Sequence, residues 1–200
     1  MIPLSPTLLI ATANAFVGLG VGRFGDALPA LFRRECAPGA EDPGRAWDAA
    51  FVQHVGHWSH FDERSGTSSW PLPVTGDVAV LATFARGRSV LREDPRVGDI
   101  FLLASSLGGG FQRVGIILSA GDPGTATDGT RYRECVTIEG DSARDFSAAG
   151  GLVLRHRRKL SAARGDRFLR WSALDVRHVA AGDVGSAAEA MGLARPRASA

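Results

Sequence analysis

His54, His57 and His60, followed by Asp62 and Glu63, are the densest run of metal-ligating side chains in the sequence. On a helix, His54 and His57 share a face because residues three apart are neighbours. His60 falls at or past the expected helix end, and helical zinc motifs pair histidines at i, i+4 with a third ligand elsewhere. The three are weak metal candidates, and the expectation is a polar helix flank rich in imidazole. Gly20-Val-Gly22-Arg-Phe-Gly25 fits the dinucleotide pattern G-x-G-x-x-G. That chemistry needs a strand before the glycines, a helix after them and a returning parallel strand that ends in an acid. Here the preceding segment begins like a capped helix, and after Cys36 the chain enters a Pro/Gly loop. An interhelical turn is expected, with no cofactor. Cys36 and Cys135 are the only cysteines, which excludes a disulfide framework and a four-cysteine zinc site.

The cationic residues are unevenly spread. Residues 151–171 hold Arg155, Arg157, Arg158, Lys159, Arg164, Arg167 and Arg170 against Asp166 alone, a local +6 within a chain of net charge +2. Such asymmetry suits an anionic surface, with Arg155, Arg157, Arg158 and Lys159 as its centre. The plainer reading is a solvated strand face. No groove-entering helix or aromatic stacking platform accompanies the cluster, so sequence-specific nucleic-acid binding is not expected.

These groups need a scaffold, and 200 residues with 44% hydrophobic and 22% charged side chains suffice for one globular domain. Ser5-Pro6 reads as an N-cap with proline at the first helical position, giving a core helix over about residues 6–17. Its alternative, membrane contact by residues 6–22, is opposed by Pro3, Pro6, Asn14 and three glycines. No basic residues precede the apolar stretch, so a signal peptide is not expected, which favours the cytoplasm or an assembly. Asp26 caps a second helix through Cys36. A third, Ala46–Trp58, sets Trp47, Phe51, Val55 and Trp58 on one face, and Asp77 caps a fourth that Gly87 closes. Strands are expected over residues 99–104, 113–119, 134–139, 151–157 and 167–171, with Gly121–Thr130 as the turn of a hairpin. Helices first and an antiparallel sheet afterwards define an α+β domain over residues 1–172, with 173–200 as an Ala/Gly-rich tail.

Four segments carry a family likeness: Ala46-Trp-Asp-Ala-Ala-Phe-Val52, Val97-Gly-Asp-Ile-Phe101, Phe111-Gln-Arg-Val-Gly-Ile-Ile117 and Thr137-Ile-Glu-Gly-Asp141. In order and spacing they resemble the CHAP family, cysteine- and histidine-dependent amidohydrolases and peptidases of papain-like fold. Its segments read Trp-Cys-Ala-Ala-Phe, Gly-Asp-Ile, His-Val-Gly-Ile and Glu-Gly-Asn. The resemblance covers about residues 6–172. It implies N-terminal helices packed on an antiparallel sheet, and a cysteine–histidine pair oriented by a third polar group.

At those positions this chain has Asp48 for the cysteine and Arg113 for the histidine. Glu139 is kept as the orienting residue, and Asp141 stands where asparagine is usual. A carboxylate is a poor nucleophile toward an amide, and arginine does not exchange protons near neutral pH. Another proton carrier, His156 or His54, would have to reach the cleft. The resemblance therefore implies a degenerate site in which Arg113 ion-pairs with Asp48 or Glu139. The expected function is non-catalytic, an accessory or scaffold subunit that binds a protein partner in a larger assembly. The alternatives are a cell-wall amidase or endopeptidase with a non-standard site, and a peptidoglycan-binding module without catalysis.

Overall fold

The computed structural model describes residues 4–19, 32, 47–106, 108–142 and 151–174. Within them the chain is mixed α+β, with helices before an antiparallel sheet. Helix α1 (Pro6–Ala15) begins where Ser5 Oγ accepts the Leu8 N–H at 3.4 Å, and it buries Leu9 and Ala13. Helix α2 (Asp48–Ser59) is buried nearly all round, and Phe51, Val52 and Val55 are fully enclosed. Trp58 departs from the expected apolar face: it is 53% exposed, although Ser59 and His60 beside it are buried. The hairpin of β1 (Phe61–Asp62) and β2 (Thr67–Ser68) follows. Helix α3 (Val78–Gly87) starts at Asp77, whose carboxylate accepts the Ala79 N–H at 2.7 Å. All three helix starts follow from residue type, since each cap or first-turn carboxylate satisfies an otherwise unpaired N–H.

The main sheet runs β3-β8-β4-β5-β6-β7, every neighbouring pair antiparallel. The strands are β3 (Leu91–Arg92), β4 (Ile100–Ala104), β5 (Phe111–Thr125), β6 (Arg131–Ser142), β7 (Leu152–Leu160) and β8 (Arg167–Leu169). Side chains alternate between its faces with period two. Ile100, Leu102, Val114, Ile116, Ile138 and Val153 join the helices in the larger core. Phe101, Ile117, Cys135, Leu160 and Phe168 form a second core on the opposite face.

The β5–β6 hairpin is longer than expected. The strands pair as far as Thr125 and Arg131, and the turn is only Ala126–Thr130, with Gly129 at φ 79°. Register shifts between Ile117 and Ser119 and between Ala120 and Pro123 absorb a proline that has no N–H to give the ladder. Trp171, after the last strand, is tied to the turn before β4: its Nε1 donates to the Gly98 carbonyl at 2.8 Å. Gly98 has φ +83°, and a Cβ there would lie 2.3 Å from Pro6 Cβ.

The expected second helix, Cys36, the Gly20–Gly25 pattern and tail residues 175–200 lie outside the described residues, apart from the buried helical residue Phe32. No helix among the described residues is long and apolar enough to cross a membrane.

Candidate functional site

Asp48 is the first residue of α2, where the helix dipole favours negative charge. Its Oδ1 accepts the Ala49 N–H at 2.9 Å, and its Oδ2 accepts the Val114 N–H of β5 at 3.0 Å. The side chain is buried at 2% exposure and acts as a clamp between helix and sheet. Burial pushes its carboxyl up to about 6, against the opposing pull of the two backbone N–H groups and the Arg113 charge. The Asp141 charge adds to the rise.

Arg113 is half-buried beside this centre, yet among the described residues its guanidinium bonds no carboxylate. Nη1 donates to the backbone carbonyl of Asp141 at 2.9 Å. Asp141 takes a left-handed φ of 51°, inside the register shift between Glu139 and Ser142. Arg113 and Asp141 therefore both act on Asp48 through their charges.

Glu139 takes a different cation, which corrects the expected ion pair of Arg113 with Asp48 or Glu139. Ile138 belongs to the helix-side core, so strand alternation turns Thr137 and Glu139 to the opposite face. There Glu139 is fully buried, accepts the Thr137 hydroxyl at 2.6 Å and is forked by Arg158 Nε and Nη2. Arg158 also lies over the Phe101 ring, 5.8 Å from its centroid. Burial works against the Arg158 charge, but the bonds to Glu139 more than offset it and raise its pKa. Gly115 makes the room: a Cβ there would meet Phe101 Cε1 at 2.6 Å and Glu139 Cγ at 2.8 Å. This pairing also removes Arg158 from the expected anionic-surface group, because Arg155, Arg157 and Lys159 alternate to the other face of β7. The signal was in the sequence as two alternating rows, 135/137/139 and 154/156/158, but only the β6–β7 register brings them together.

The histidines do not converge. His54 is buried against the rings of Phe16 and Phe32, and His57 is exposed near Phe61. His60 is fully buried, and its Nε2 accepts the Ser5 N–H at 3.1 Å. Among the described residues no group of three or more His, Cys, Asp or Glu side chains is placed to hold a metal ion. His156 is opposite Thr137 on β7, one step diagonally from Cys135, and its buried Nε2 has no hydrogen-bond partner among the described residues. Burial pushes the Cys135 thiol up to about 11, so it is not a ready thiolate.

No family model, no curated protein and no solved structure matches the chain. The chemistry of the centre rests on its own geometry. Asp48 has both oxygens engaged by backbone N–H groups, and Arg113 neither gives nor takes a proton near neutral pH. Among the described residues Glu139 orients no imidazole; it neutralises Arg158.

Proposed function

We propose that this chain is a non-catalytic protein of CHAP-like, papain-like fold that works by binding, as an accessory or scaffold subunit of a larger protein assembly. One observation carries the reading: Asp48, at the position that resembles the nucleophile, uses both carboxylate oxygens to clamp α2 to β5. A nucleophile must be reachable by substrate beside a proton acceptor, whereas Asp48 is buried and the neighbouring cation is an arginine. The second reading, a hydrolase with a non-standard site, draws on the Asp48 carboxyl titrating at about 6, close to where a general acid or base is useful.

Purified full chain incubated with peptidoglycan fragments separates the two. No amide cleavage above blank is expected, from pH 5 to 8. Tagged chain purified from its own cells should also migrate in a complex of fixed stoichiometry. Turnover that Asp48→Ala abolishes would overturn the reading in favour of the hydrolase.

A further inference from the structure

Strand β7 is at the edge of the main sheet, and its outward backbone groups are filled at both ends. At the start, Val153 donates to the Leu19 carbonyl at 2.9 Å and accepts the Gly18 N–H at 2.8 Å. After its end, the outward N–H of Ser161 is taken by Asp166 Oδ2 at 2.8 Å. Because N–H and C=O direction alternates along a strand, Arg155, Arg157 and Lys159 turn their backbone groups outward, as Val153 does. Among the described residues no backbone group pairs with these three on the open side.

Their side chains share one face and are exposed. Arg155 is steadied by Asn14 Oδ1 at 2.6 Å. Lys159 is over the Tyr132 ring and 4.0 Å from Glu134. The edge is therefore a stretch of about five residues with a row of three cations on one side and strand addition already begun beside it.

We propose that this edge takes an extended acidic segment of a partner protein as an added antiparallel strand, with carboxylates at alternate positions facing Arg155, Arg157 and Lys159. Backbone bonds supply the attachment, and the cross-strand charge pairs supply register and selectivity. A second copy of this chain is a poor occupant, since β7 against β7 sets cation opposite cation. Like charges directly opposite are destabilising. The inference rests on the proposed binding role and names the chemistry of the partner.

The test uses the folded full chain and a labelled six-residue peptide that alternates Glu with Val. Expected is saturable binding, with protection of the Arg155, Arg157 and Lys159 amides from hydrogen exchange. Arg157→Glu should weaken binding about tenfold, by exchanging an attractive pair for a repulsive one. Arg157→Pro should also weaken it while leaving the β6 ladder intact, because the lost N–H points outward. A peptide of the same composition with its glutamates in one block should bind about tenfold more weakly than the alternating one. Absence of binding would overturn the proposal and leave the cations as guards against edge-to-edge aggregation. Equal binding of a backbone N-methylated peptide, or of a single-stranded oligonucleotide or anionic vesicle without amide protection, would also overturn it. Peptidoglycan turnover would defeat the binding role instead, so the two failures are read separately.

Discussion

Asp48 and Glu139 are both buried carboxylates, but their surroundings treat the charge in opposite ways. Asp48 has backbone donors and, among the described residues, no bonded cation, and burial raises its folded pKa from 3.8 to about 6. The folded state then holds the proton more tightly than the unfolded chain does. The sign follows: the contribution is fully present below about pH 4 and is lost as pH rises through 6, by about 3 kcal/mol at most. Asp48→Asn has no such titration, so the stability difference between variant and wild type should shift in the variant's favour from pH 4 to 7. Urea unfolding at each pH reads it, and parallel profiles would refute it. Glu139 has its cation, and the pair is asymmetric, with Arg158 at 25% side-chain exposure and Glu139 at 0%. Arg158→Met leaves Glu139 buried with the Thr137 hydroxyl alone, and should cost about 3 kcal/mol at pH 7. Glu139→Gln should cost less, because Arg158 can turn toward water. Adding Glu139→Gln to Arg158→Met should recover part of the loss, which denaturant midpoints would show.

At the scale of elements, legibility tracks how local the signal is. Ser5 before Pro6 and Asp77 before an apolar run announced α1 and α3, because a cap acts within one turn. The main strands were legible as apolar runs between turn residues. Their lengths were not: Pro123 and Gly124 read as turn chemistry, yet two register shifts keep them in β5. Placing Asp48 at a helix start needed only the pattern around Trp47, whereas the partner of Glu139 depends on how β6 and β7 slide past each other. By alternation from Val114 and Ile138, Arg113 and Glu139 share the face turned away from the helices, but Arg158 of the neighbouring β7 takes the carboxylate. Glycines mark where elements touch most closely. Gly115→Ala would push a methyl to 2.7 Å from the Ile138 carbonyl oxygen, besides Phe101 and Glu139. It should destabilise by about 1–3 kcal/mol, as overpacking does. Gly87 has nothing within 4 Å of an added Cβ, so Gly87→Ala should stabilise α3 by about 0.5 kcal/mol. Thermal unfolding of the two variants should move in opposite directions.

For the molecule as a whole, His60 joins parts far apart in sequence. Its Nε2 accepts the Ser5 N–H ahead of α1, while Nδ1 is within bonding distance of the Gly56 carbonyl and Ser59 Oγ at the end of α2. Its ring packs on Trp70 and Trp171, and Trp171 in turn donates to Gly98. An acceptor nitrogen must be unprotonated, so the arrangement requires neutral imidazole. Burial accordingly lowers the His60 pKa from its usual 6.5, despite the opposing bond to Gly56. A base with a depressed folded pKa stabilises fully above 6.5, and this is lost as pH falls through the folded value. Asp48 titrates in the opposite sense, so its gain on the acid side partly masks the loss at His60 in any global unfolding curve. Amide-resolved hydrogen exchange avoids the masking. On acidification, protection of the Ser5 amide and the Trp171 indole N–H should fall together, since one protonation removes the acceptor of the first and disturbs the ring beneath the second. The Ala104 and Ser161 amides, bonded to Asp166 at 3.0 and 2.8 Å, should keep their protection over the same range. In His60→Gln the amide oxygen can still accept from Ser5 but does not titrate, and the joint loss should vanish. Independent midpoints for Ser5 and Trp171 would mean that His60 does not couple the two ends of the domain.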